Sequence, residues 1–331
     1  MTRVLIYEPS FHRLGEAFSV RPGLEFLLMG PDGRVTLHGA EVSLDDARPQ
    51  VGWINADLFG AAPIREYVTA LLKSPDLKWV QSGAAGFDLP VFGRIVAKGA
   101  RLTTSHAQAV GMSEYVLAGV LDHFQRGPER RAAQARHEWA RLPFRELAGS
   151  AWLIIGFGAI GQAVAVKARA FGAQVTGVRR SAGAHPDADA MIAPADVREW
   201  LPKADVVVLS LPLSARTAGM VDAGFLAAMK PGSVLVNVGR GGLVDEAALL
   251  AALDAGKPEH ALLDVFHEEP LPPESRFWDH PRVALTGHAS AIGSGLTARG
   301  DSLFLDNLDR YLAGQPLRNE AAASEVLGET A

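Results

Sequence analysis

The chain has 331 residues, which is enough for two domains and more than one hydrophobic core usually fills. Hydrophobic residues make up 48% and charged residues 21%, as in an ordinary globular protein, and the net charge of -5 comes with no basic block, which argues against a nucleic-acid partner. The chain has no cysteine, which excludes disulfides, thiolate metal sites and a cysteine nucleophile.

The N-terminal run MTRVLIYEPS is too short for the apolar core of a signal peptide, and no stretch is long enough to span a bilayer without charge. We therefore expect a cytoplasmic protein with no membrane partner. No residue pattern predicts a metal site.

Short apolar runs alternate with helical stretches over the first hundred residues. The runs typical of strands are residues 3–7, 51–54, 78–81 and 101–104. Between them, residues 63–73 have the apolar spacing of an amphipathic helix. This alternation predicts a small parallel α/β domain.

A long apolar helix is predicted from residue 105 to about residue 125, and an Arg- and Glu-rich stretch follows it at 126–141. A second α/β series then begins, with predicted strands at 151–155, 174–178, 206–209, 233–238, 261–265 and 283–286. Such a series is typical of a doubly wound sheet. The tail, 296–313, has apolar residues at helical spacing.

The sharpest local pattern is a glycine-rich turn between the strand at 151–155 and a predicted helix at 162–171. Gly156 allows a tight turn, Gly158 lets the backbone approach a pyrophosphate, and Gly161 lets the helix pack against the strand. The N–H groups at the start of the helix then face the phosphates. The pattern predicts dinucleotide binding through this turn, including Ala159 and Ile160.

The end of the next strand, at 174–178, indicates which dinucleotide binds. An NAD site usually places a carboxylate there, whereas this chain has Arg179, Arg180 and Ser181. Two guanidinium groups and a hydroxyl suit a phosphate on the ribose. We therefore predict that NADP(H) is preferred, with NAD(H) possible.

Three charged side chains follow the last predicted strands, at the edge where open α/β sheets bind their ligands. They are Arg240 in VLVNVGRGGLVDE, Glu269 in LDVFHEEPLP and His288 in VALTGHASA. A carboxylate beside an imidazole favours the protonated ring, which can then act as an acid. A guanidinium stabilises negative charge that develops on oxygen.

With these motifs, the sequence resembles the D-isomer-specific 2-hydroxyacid dehydrogenases from about residue 83 to residue 288. The resemblance rests on GFGAIG, LPLSART, NVGRGGLVDE, LDVFHEEPLP and TGH, which occur in that order. Within the family it is closest to the NADPH-dependent glyoxylate/hydroxypyruvate reductases. A Rossmann cofactor domain (105–289) inserted into a smaller flavodoxin-like substrate domain (1–104 and 290–331) is the fold that we expect.

The resemblance implies a catalytic role for three residues. Arg240 binds the substrate carboxylate and polarises the keto oxygen, His288 gives that oxygen a proton, and Glu269 bonds the other ring nitrogen of His288. It also implies that the turn Gly83, Ala84 and Ala85 binds the carboxylate through backbone N–H groups. Trp53 lines the substrate pocket in this interpretation, although a core tryptophan is an equal alternative.

The remaining expected contacts concern the cofactor. The resemblance implies that Asp264 meets the nicotinamide and that Pro212 and Thr217 line the adenosine side. Further predicted cofactor contacts are Leu211, Val238 and His288. The resemblance also implies a homodimer whose contact is formed by the helix at 105–125 and the segment after it.

Two features depart from the family pattern or leave it open. Gly287 stands where the family usually has proline, so the approach of His288 is less fixed. Glu268, beside Glu269, makes the orienting carboxylate ambiguous.

Two other functions also stay open: an NAD-dependent dehydrogenase of a bulkier or phosphorylated acid, and a non-catalytic dinucleotide sensor.

Overall fold

A computed structural model describes residues 1–59, 61–180 and 183–328. Ser181, which was assigned to the ribose phosphate, lies outside these residues. The chain folds as two units: Met1–Ala107 with Ser294–Ala331 form unit 1, and Gln108–Gly293 form unit 2.

Unit 1 is built on a sheet that is parallel except at one edge. Its strands are β1 (Thr2–Tyr7), β2 (Leu24–Met29), β3 (Val35–Leu37), β4 (Ala40–Val42), β5 (Val51–Ile54), β6 (Trp79–Ser82) and β7 (Arg101–Thr103). Their order is β4-β3-β2-β1-β5-β6-β7. β3 pairs antiparallel with both of its neighbours, β2 and β4. The parallel part therefore has the flavodoxin-like order, which reverses between β1 and β5.

Unit 2 is built on a fully parallel sheet. Its strands are β8 (Ala151–Ile155), β9 (Gln174–Val178), β10 (Ala190–Ile192), β11 (Val206–Leu209), β12 (Val234–Asn237), β13 (His260–Leu263) and β14 (Val283–Leu285). The order β10-β9-β8-β11-β12-β13-β14 is that of a Rossmann fold with one strand added, so the predicted fold class is confirmed.

Helices connect most of these strands. In chain order they are α1 (Glu8–Ser19), α2 (Leu44–Ala47), α3 (Ile64–Lys73), α4 (Pro90–Ala97), α5 (Ala109–Phe124), α6 (Gly127–Ala135), α7 (Ala159–Ala170), α8 (Val197–Trp200), α9 (Ala223–Ala228), α10 (Glu246–Asp254), α11 (Leu296–Leu312) and α12 (Ala323–Val326). Within the described residues, no helix is both long and apolar enough to cross a bilayer.

Each sheet is buried on both faces, which explains the continuous apolar runs in its strands. In unit 2, Leu153 and Ile155 of β8 pack into one core, while Trp152 and Ile154 pack into the core on the other face. Successive side chains of a strand point to opposite faces, so one apolar run serves both cores.

The same alternation holds in unit 1, where β1 supplies side chains to two cores. One of them contains a stack of Trp53 on Phe304 of α11, with ring centroids 4.3 Å apart and planes 4° from parallel. Trp53 is 2% exposed. This contact attaches α11 to β5.

Most predicted elements are confirmed. The strands expected at 51–54, 151–155, 174–178 and 206–209 have those bounds, and the other predicted strands differ only at their ends. The prediction for the long helix was wrong at its start, because α5 begins at Ala109 rather than at residue 105. Ser105 Oγ accepts a bond from the N–H of Ala107, which closes a turn before the helix. The sequence analysis gave no bounds for α1, α2, α4, α6, α8, α9, α10 and α12, and it missed β2, β3, β4 and β10.

Two stacked histidines should make the stability of unit 2 depend on pH. The rings of His123 and His260 lie 4.2 Å apart, and burial lowers the pKa of both, that of His260 to about 3. The charged groups that act on the pair are Asp122, Glu129, Arg145 and Glu259. In an unfolded chain the pKa of histidine is about 6.5. Below that pH the folded state therefore binds fewer protons than the unfolded state.

We therefore expect these two histidines to leave the free energy of unfolding unchanged above about pH 6.5. Toward pH 4 the free energy of unfolding should fall, by at most about 1.4 kcal/mol per pH unit for each histidine. His260→Gln should make this acid slope shallower in urea titrations between pH 7.5 and pH 4. His12→Gln, which changes an exposed histidine, serves as the control. An unchanged slope in His260→Gln contradicts the interpretation.

Candidate active site

Three predicted residues lie just beyond three neighbouring parallel strands. Arg240 follows β12, Glu269 follows β13 and His288 follows β14. The carboxyl ends of parallel strands share one edge of a sheet, so the connections that carry these residues start side by side.

The imidazole of His288 is hydrogen-bonded to the carboxylate of Glu269. Their atoms Nδ1 and Oε2 are 2.7 Å apart, and the side chains are 49% and 35% exposed. The other oxygen of Glu269 accepts a bond of 2.9 Å from the N–H of Phe266, which fixes the carboxylate. The orienting carboxylate is therefore that of Glu269 rather than Glu268. Within the described residues, Nε2 of His288 has no hydrogen-bond partner.

The backbone of His288 has a left-handed conformation, with φ at +52°. This region is uncommon for residues other than glycine, although histidine is among those that tolerate it. The N–H of His288 donates to the carbonyl of Asp264 at 2.8 Å, which helps to hold the turn. Such unusual conformations persist where surrounding contacts fix them.

The carboxylate of Asp264 fixes the rest of this turn. It is 1% exposed and accepts bonds from the backbone N–H groups of Ala289 (2.8 Å) and Ser290 (3.1 Å). The hydroxyl of Thr286 donates to it at 2.6 Å, and the hydroxyl of Ser290 donates to its other oxygen. The sequence analysis missed this positioning role. The expected contact of Asp264 with a nicotinamide stays a prediction.

The hydroxyl of Tyr115, in α5, makes a contact with the same turn. Its hydroxyl lies 2.9 Å from that of Thr286, and burial raises the pKa of Tyr115 to about 12. The phenol therefore stays neutral and can act only as a hydrogen-bonding group near neutral pH.

Arg240 lies on a loop that packs tightly against the exit of β13. A Cβ at Gly241 would be 2.0 Å from the carbonyl carbon of Phe266, so only glycine allows this contact. Buried Asn237 donates to the carbonyl of Arg240 at 3.0 Å, and the Arg240 guanidinium donates to the carbonyl of Gly239 at 2.8 Å. The loop of Arg240 and the loop of Glu269 are thus held together.

The three glycines of the turn after β8 meet three different requirements. Gly156 has φ at +98°, and a Cβ there would lie 2.7 Å from the N of Leu211. A Cβ at Gly161 would lie 2.3 Å from the carbonyl oxygen of Gly156. At Gly158, by contrast, a Cβ would meet no described atom within 4 Å, so the space beside it is open to a ligand.

The start of α7 has the features of an anion site next to that space. Its first residues are Ala159 and Ile160, and Gly158 offers no side chain to cap them. The first N–H groups of a helix lack partners within the helix, and the helix dipole favours negative charge there. The turn therefore fits the pyrophosphate of a dinucleotide.

The other predicted cofactor residues lie at neighbouring strand exits. Leu211 and Pro212 follow β11, and the hydroxyl of Thr217 donates to the carbonyl of Pro212 at 2.9 Å, which closes that loop. Val238 is buried after β12, with its N–H bonded to the carbonyl of Leu209. Ser210, which the sequence analysis missed, donates to the carbonyl of Gly156 at 2.9 Å.

Arg179 and Arg180 directly follow β9, the strand next to β8. The guanidinium of Arg179 donates to the carbonyl of Gly183 at 3.3 Å. Two cationic side chains therefore stand at the end of the second strand of the Rossmann order, the position that in such folds lies near the ribose.

The expected substrate residues of unit 1 follow β5 and β6. The N–H of Gly83 donates to the carbonyl of Ile54 at 2.6 Å, and that of Ala84 donates to Ser82 Oγ at 3.0 Å. The N–H of Ala85 has no hydrogen bond to another described residue, so it is the donor of this turn that is available to a ligand. Trp53 is a core residue, stacked on Phe304 as described above, and it also lines a cavity of unit 1.

No group of three His, Asp or Glu side chains among the described residues is arranged to hold a metal ion. The chain has no cysteine.

More than half of the chain matches a known family model. Residues 117–290, more than half of the chain, match the family model described as "D-isomer specific 2-hydroxyacid dehydrogenase, NAD binding domain". A curated relative, glyoxylate/hydroxypyruvate reductase A of Salmonella typhi, is 37% identical over 181 residues. That match covers 55% of this chain and 58% of the relative, so the chain spans less than two thirds of that protein.

Solved structures match over nearly the whole chain. A D-isomer specific 2-hydroxyacid dehydrogenase family protein from Aeromonas salmonicida has a TM-score of 0.76 and 29% identity, and the match covers 97% of this chain and 99% of that one. The NADPH-dependent glyoxylate/hydroxypyruvate reductase of Sinorhizobium meliloti, solved with NADP and sulfate, has a TM-score of 0.77 and 27% identity, with 98% and 100% covered. From the family model and these folds, the chain belongs to the D-isomer specific 2-hydroxyacid dehydrogenase family.

Proposed function

We propose that this protein is an oxidoreductase that transfers hydride from NADPH to a short 2-keto acid of the glyoxylate or hydroxypyruvate type and yields the D-2-hydroxy acid. The observation that carries the proposal is the hydrogen-bonded pair of His288 and Glu269, held beside the Arg240 loop. The same unit contains a glycine turn that fits a dinucleotide. The names of the relatives from Salmonella and Sinorhizobium support the choice of substrate class.

NADP(H) is the cofactor that we propose, with NAD(H) in second place. Arg179 and Arg180 stand after β9, where a carboxylate would favour the free ribose hydroxyls of NAD. Guanidinium groups bind phosphate through charge-assisted bonds. The similar structure from Sinorhizobium contains NADP, and one from Xanthobacter autotrophicus, at 25% identity, contains NADPH.

The proposed reaction divides the chemistry among three side chains. When bound, the nicotinamide cofactor supplies the hydride for the keto carbon. Nε2 of His288 donates a proton to the keto oxygen, and Glu269 orients the ring through Nδ1 and stabilises its positive charge. Arg240 pairs with the substrate carboxylate and stabilises the negative charge that develops on the keto oxygen. In the reverse direction, Nε2 accepts the proton of the hydroxyl.

The proposal gives the turn Gly83, Ala84 and Ala85 a part in binding the carboxylate. Because Gly83 and Ala84 use their N–H groups internally, Ala85 is the direct donor that we propose. Gly83 keeps the turn close to β5: a Cβ there would lie 3.2 Å from the carbonyl oxygen of Ile54.

We further propose that residues 1–104 and 290–331 bind the substrate and residues 105–289 bind the cofactor. The proposal includes a cytoplasmic homodimer in which α5 and the segment after it form the contact. Light scattering from a purified sample measures the oligomeric state.

His288→Asn should lower kcat by about 100- to 10,000-fold, which is the usual contribution of a general acid. Asparagine tolerates the left-handed backbone of residue 288, so the turn should persist. The dissociation constant of NADPH, measured by fluorescence titration, should stay within about twofold of the wild-type value. Turnover near the wild-type rate would falsify the assignment of His288.

Replacing Arg179 by Asp and Arg180 by Ala should shift the preference from NADPH toward NADH. The guanidinium–phosphate contacts are lost and a carboxylate becomes available to the ribose hydroxyls, so the ratio of kcat/KM values should move by about tenfold or more. Absorbance assays with both cofactors measure the ratio. Arg198→Ala, at an exposed arginine of the same unit, is the control, and an unchanged ratio in the double variant refutes the phosphate site.

Gly158→Val separates ligand binding from folding at the glycine turn. No described atom lies within 4 Å of the added Cβ, so the melting temperature should change by only a few degrees. The side chain would occupy the space assigned to the pyrophosphate, so the dissociation constant of NADPH should rise about tenfold or more. Gly15→Val, at another open glycine, is the control, and unchanged NADPH affinity in Gly158→Val argues against this binding mode.

A further inference from the structure

Three side chains form a hydrogen-bonded chain from α5 to the turn of His288. The hydroxyl of Tyr115 lies 2.9 Å from that of Thr286, and the hydroxyl of Thr286 lies 2.6 Å from Oδ1 of Asp264. A carboxylate only accepts hydrogen bonds and threonine has a single hydroxyl proton, so Thr286 donates to Asp264. Tyr115 must therefore donate to Thr286, and the direction of both bonds is fixed.

The start of this chain is held in place by α5. The ring of Tyr115 packs against one of the two cores of unit 2, which also contains Met112 and Val116 of the same helix. Burial raises the pKa of Tyr115 to about 12, so the phenol keeps the proton that it donates. The packed helix thus gives the hydroxyl a fixed position from which to hold Thr286.

The end of the chain acts on the backbone around His288. Oδ1 of Asp264, which accepts from Thr286, also accepts from the N–H groups of Ala289 (2.8 Å) and Ser290 (3.1 Å). The carbonyl of Asp264 accepts from the N–H of His288 itself at 2.8 Å. Residues before and after His288 are therefore bonded to the same aspartate.

Gly287, between Thr286 and His288, adds no restraint of its own. Its N–H has no hydrogen bond to a described residue, and a Cβ there would meet no described atom within 4 Å. Glycine also has the widest range of backbone conformations of any residue. The restraint on His288 must therefore come from the hydrogen bonds that converge on Asp264, of which the chain from Tyr115 is one.

The direction of the imidazole depends on this restraint. Nδ1 of His288 is bonded to Glu269 at 2.7 Å, so a change in the backbone at residue 288 tilts the ring about that bond and moves Nε2. Displacing a reacting group by about 1 Å can lower the rate by about 100-fold. A hydrogen bond that fixes the turn therefore bears on the rate of the reaction.

We propose that Tyr115 is a positioning residue: its hydroxyl, acting through Thr286 and Asp264, fixes the turn that directs Nε2 of His288 toward the keto oxygen. The inference rests on the proposed function, in which Nε2 donates a proton to that oxygen. Because Tyr115 acts through other residues, its loss slows proton donation and leaves the binding of the keto acid and of NADPH unchanged.

Tyr115→Phe tests this role because it removes only the hydroxyl. The kcat for reduction of glyoxylate or hydroxypyruvate by NADPH should fall about three- to tenfold, as expected for the loss of one hydrogen bond. KM and the dissociation constant of NADPH should stay within about twofold, since the lost interaction acts in the transition state. Ser113→Ala, which removes a buried and hydrogen-bonded hydroxyl from the same helix, is the control and should leave kcat unchanged.

Gly287→Ala supplies a second restraint at the same turn. The φ of Gly287 lies outside the left-handed region and the added Cβ has space, so alanine fits and limits the backbone. Added to Tyr115→Phe, it should restore kcat by about twofold or more, whereas in the wild type, whose turn is already fixed, it should change kcat by less than about twofold. A merely structural role of Tyr115 would lower the melting temperature and give no such recovery.

Hydrogen exchange measures the turn without turnover. In Tyr115→Phe, the N–H groups of His288, Ala289 and Ser290 should exchange about three- to tenfold faster than in the wild type, as measured by mass spectrometry. Unchanged exchange, unchanged kcat in folded Tyr115→Phe, or a loss of kcat that Gly287→Ala does not reduce overturns the inference. If the wild type reduces no keto acid, the proposed reaction is overturned, and faster exchange in Tyr115→Phe still upholds the role of Tyr115 in fixing the turn.

Discussion

The buried carboxylate of Asp264 is the constraint on which the candidate site depends. It lies just beyond β13 and bonds the turn after β14, so it converts the pairing of two strands into a fixed backbone at His288. A buried charge needs its hydrogen bonds, since removing one of its partners leaves the desolvation cost uncompensated. The left-handed conformation of His288 therefore persists, because another backbone conformation would leave the buried carboxylate of Asp264 without these hydrogen bonds.

Close backbone contacts extend this rigidity along the edge of the sheet. Gly241 touches the carbonyl of Phe266, and Gly156 lies against the loop after β11. Each glycine joins two strand exits that carry different functions. The geometry at Arg240, Glu269 and the glycine turn is thus set by the spacing of adjacent parallel strands, which is nearly invariant.

The regular parts of the fold could be predicted because their signal is local. Strands such as β8 and β11 are buried on both faces and appear in the sequence as unbroken apolar runs. The missed strands β3 and β4 are short, partly exposed and joined by His38 and Gly39, both with positive φ. Asn-Gly is the usual sequence of such a turn, so His-Gly gave no signal for the hairpin.

Site residues divide in the same way. Arg240, Glu269 and His288 could be proposed from the sequence because each follows a recognisable strand, whereas the residues that hold them could not. The contact of Asp264 with Ser290 is one that only the tertiary fold creates, and a single aspartate in a sequence does not indicate it.

This difference bears on substrate choice. The family model covers residues 117–290, so the match concerns the part of the chain that contains the glycine turn and the His288 pair. Trp53 and the turn Gly83, Ala84 and Ala85 lie outside it. Residues that perform a shared reaction are constrained by that chemistry, but residues that face the variable end of the substrate are constrained only by the particular acid. Differences in substrate preference between this protein and its relatives should therefore lie among the proposed substrate residues of unit 1.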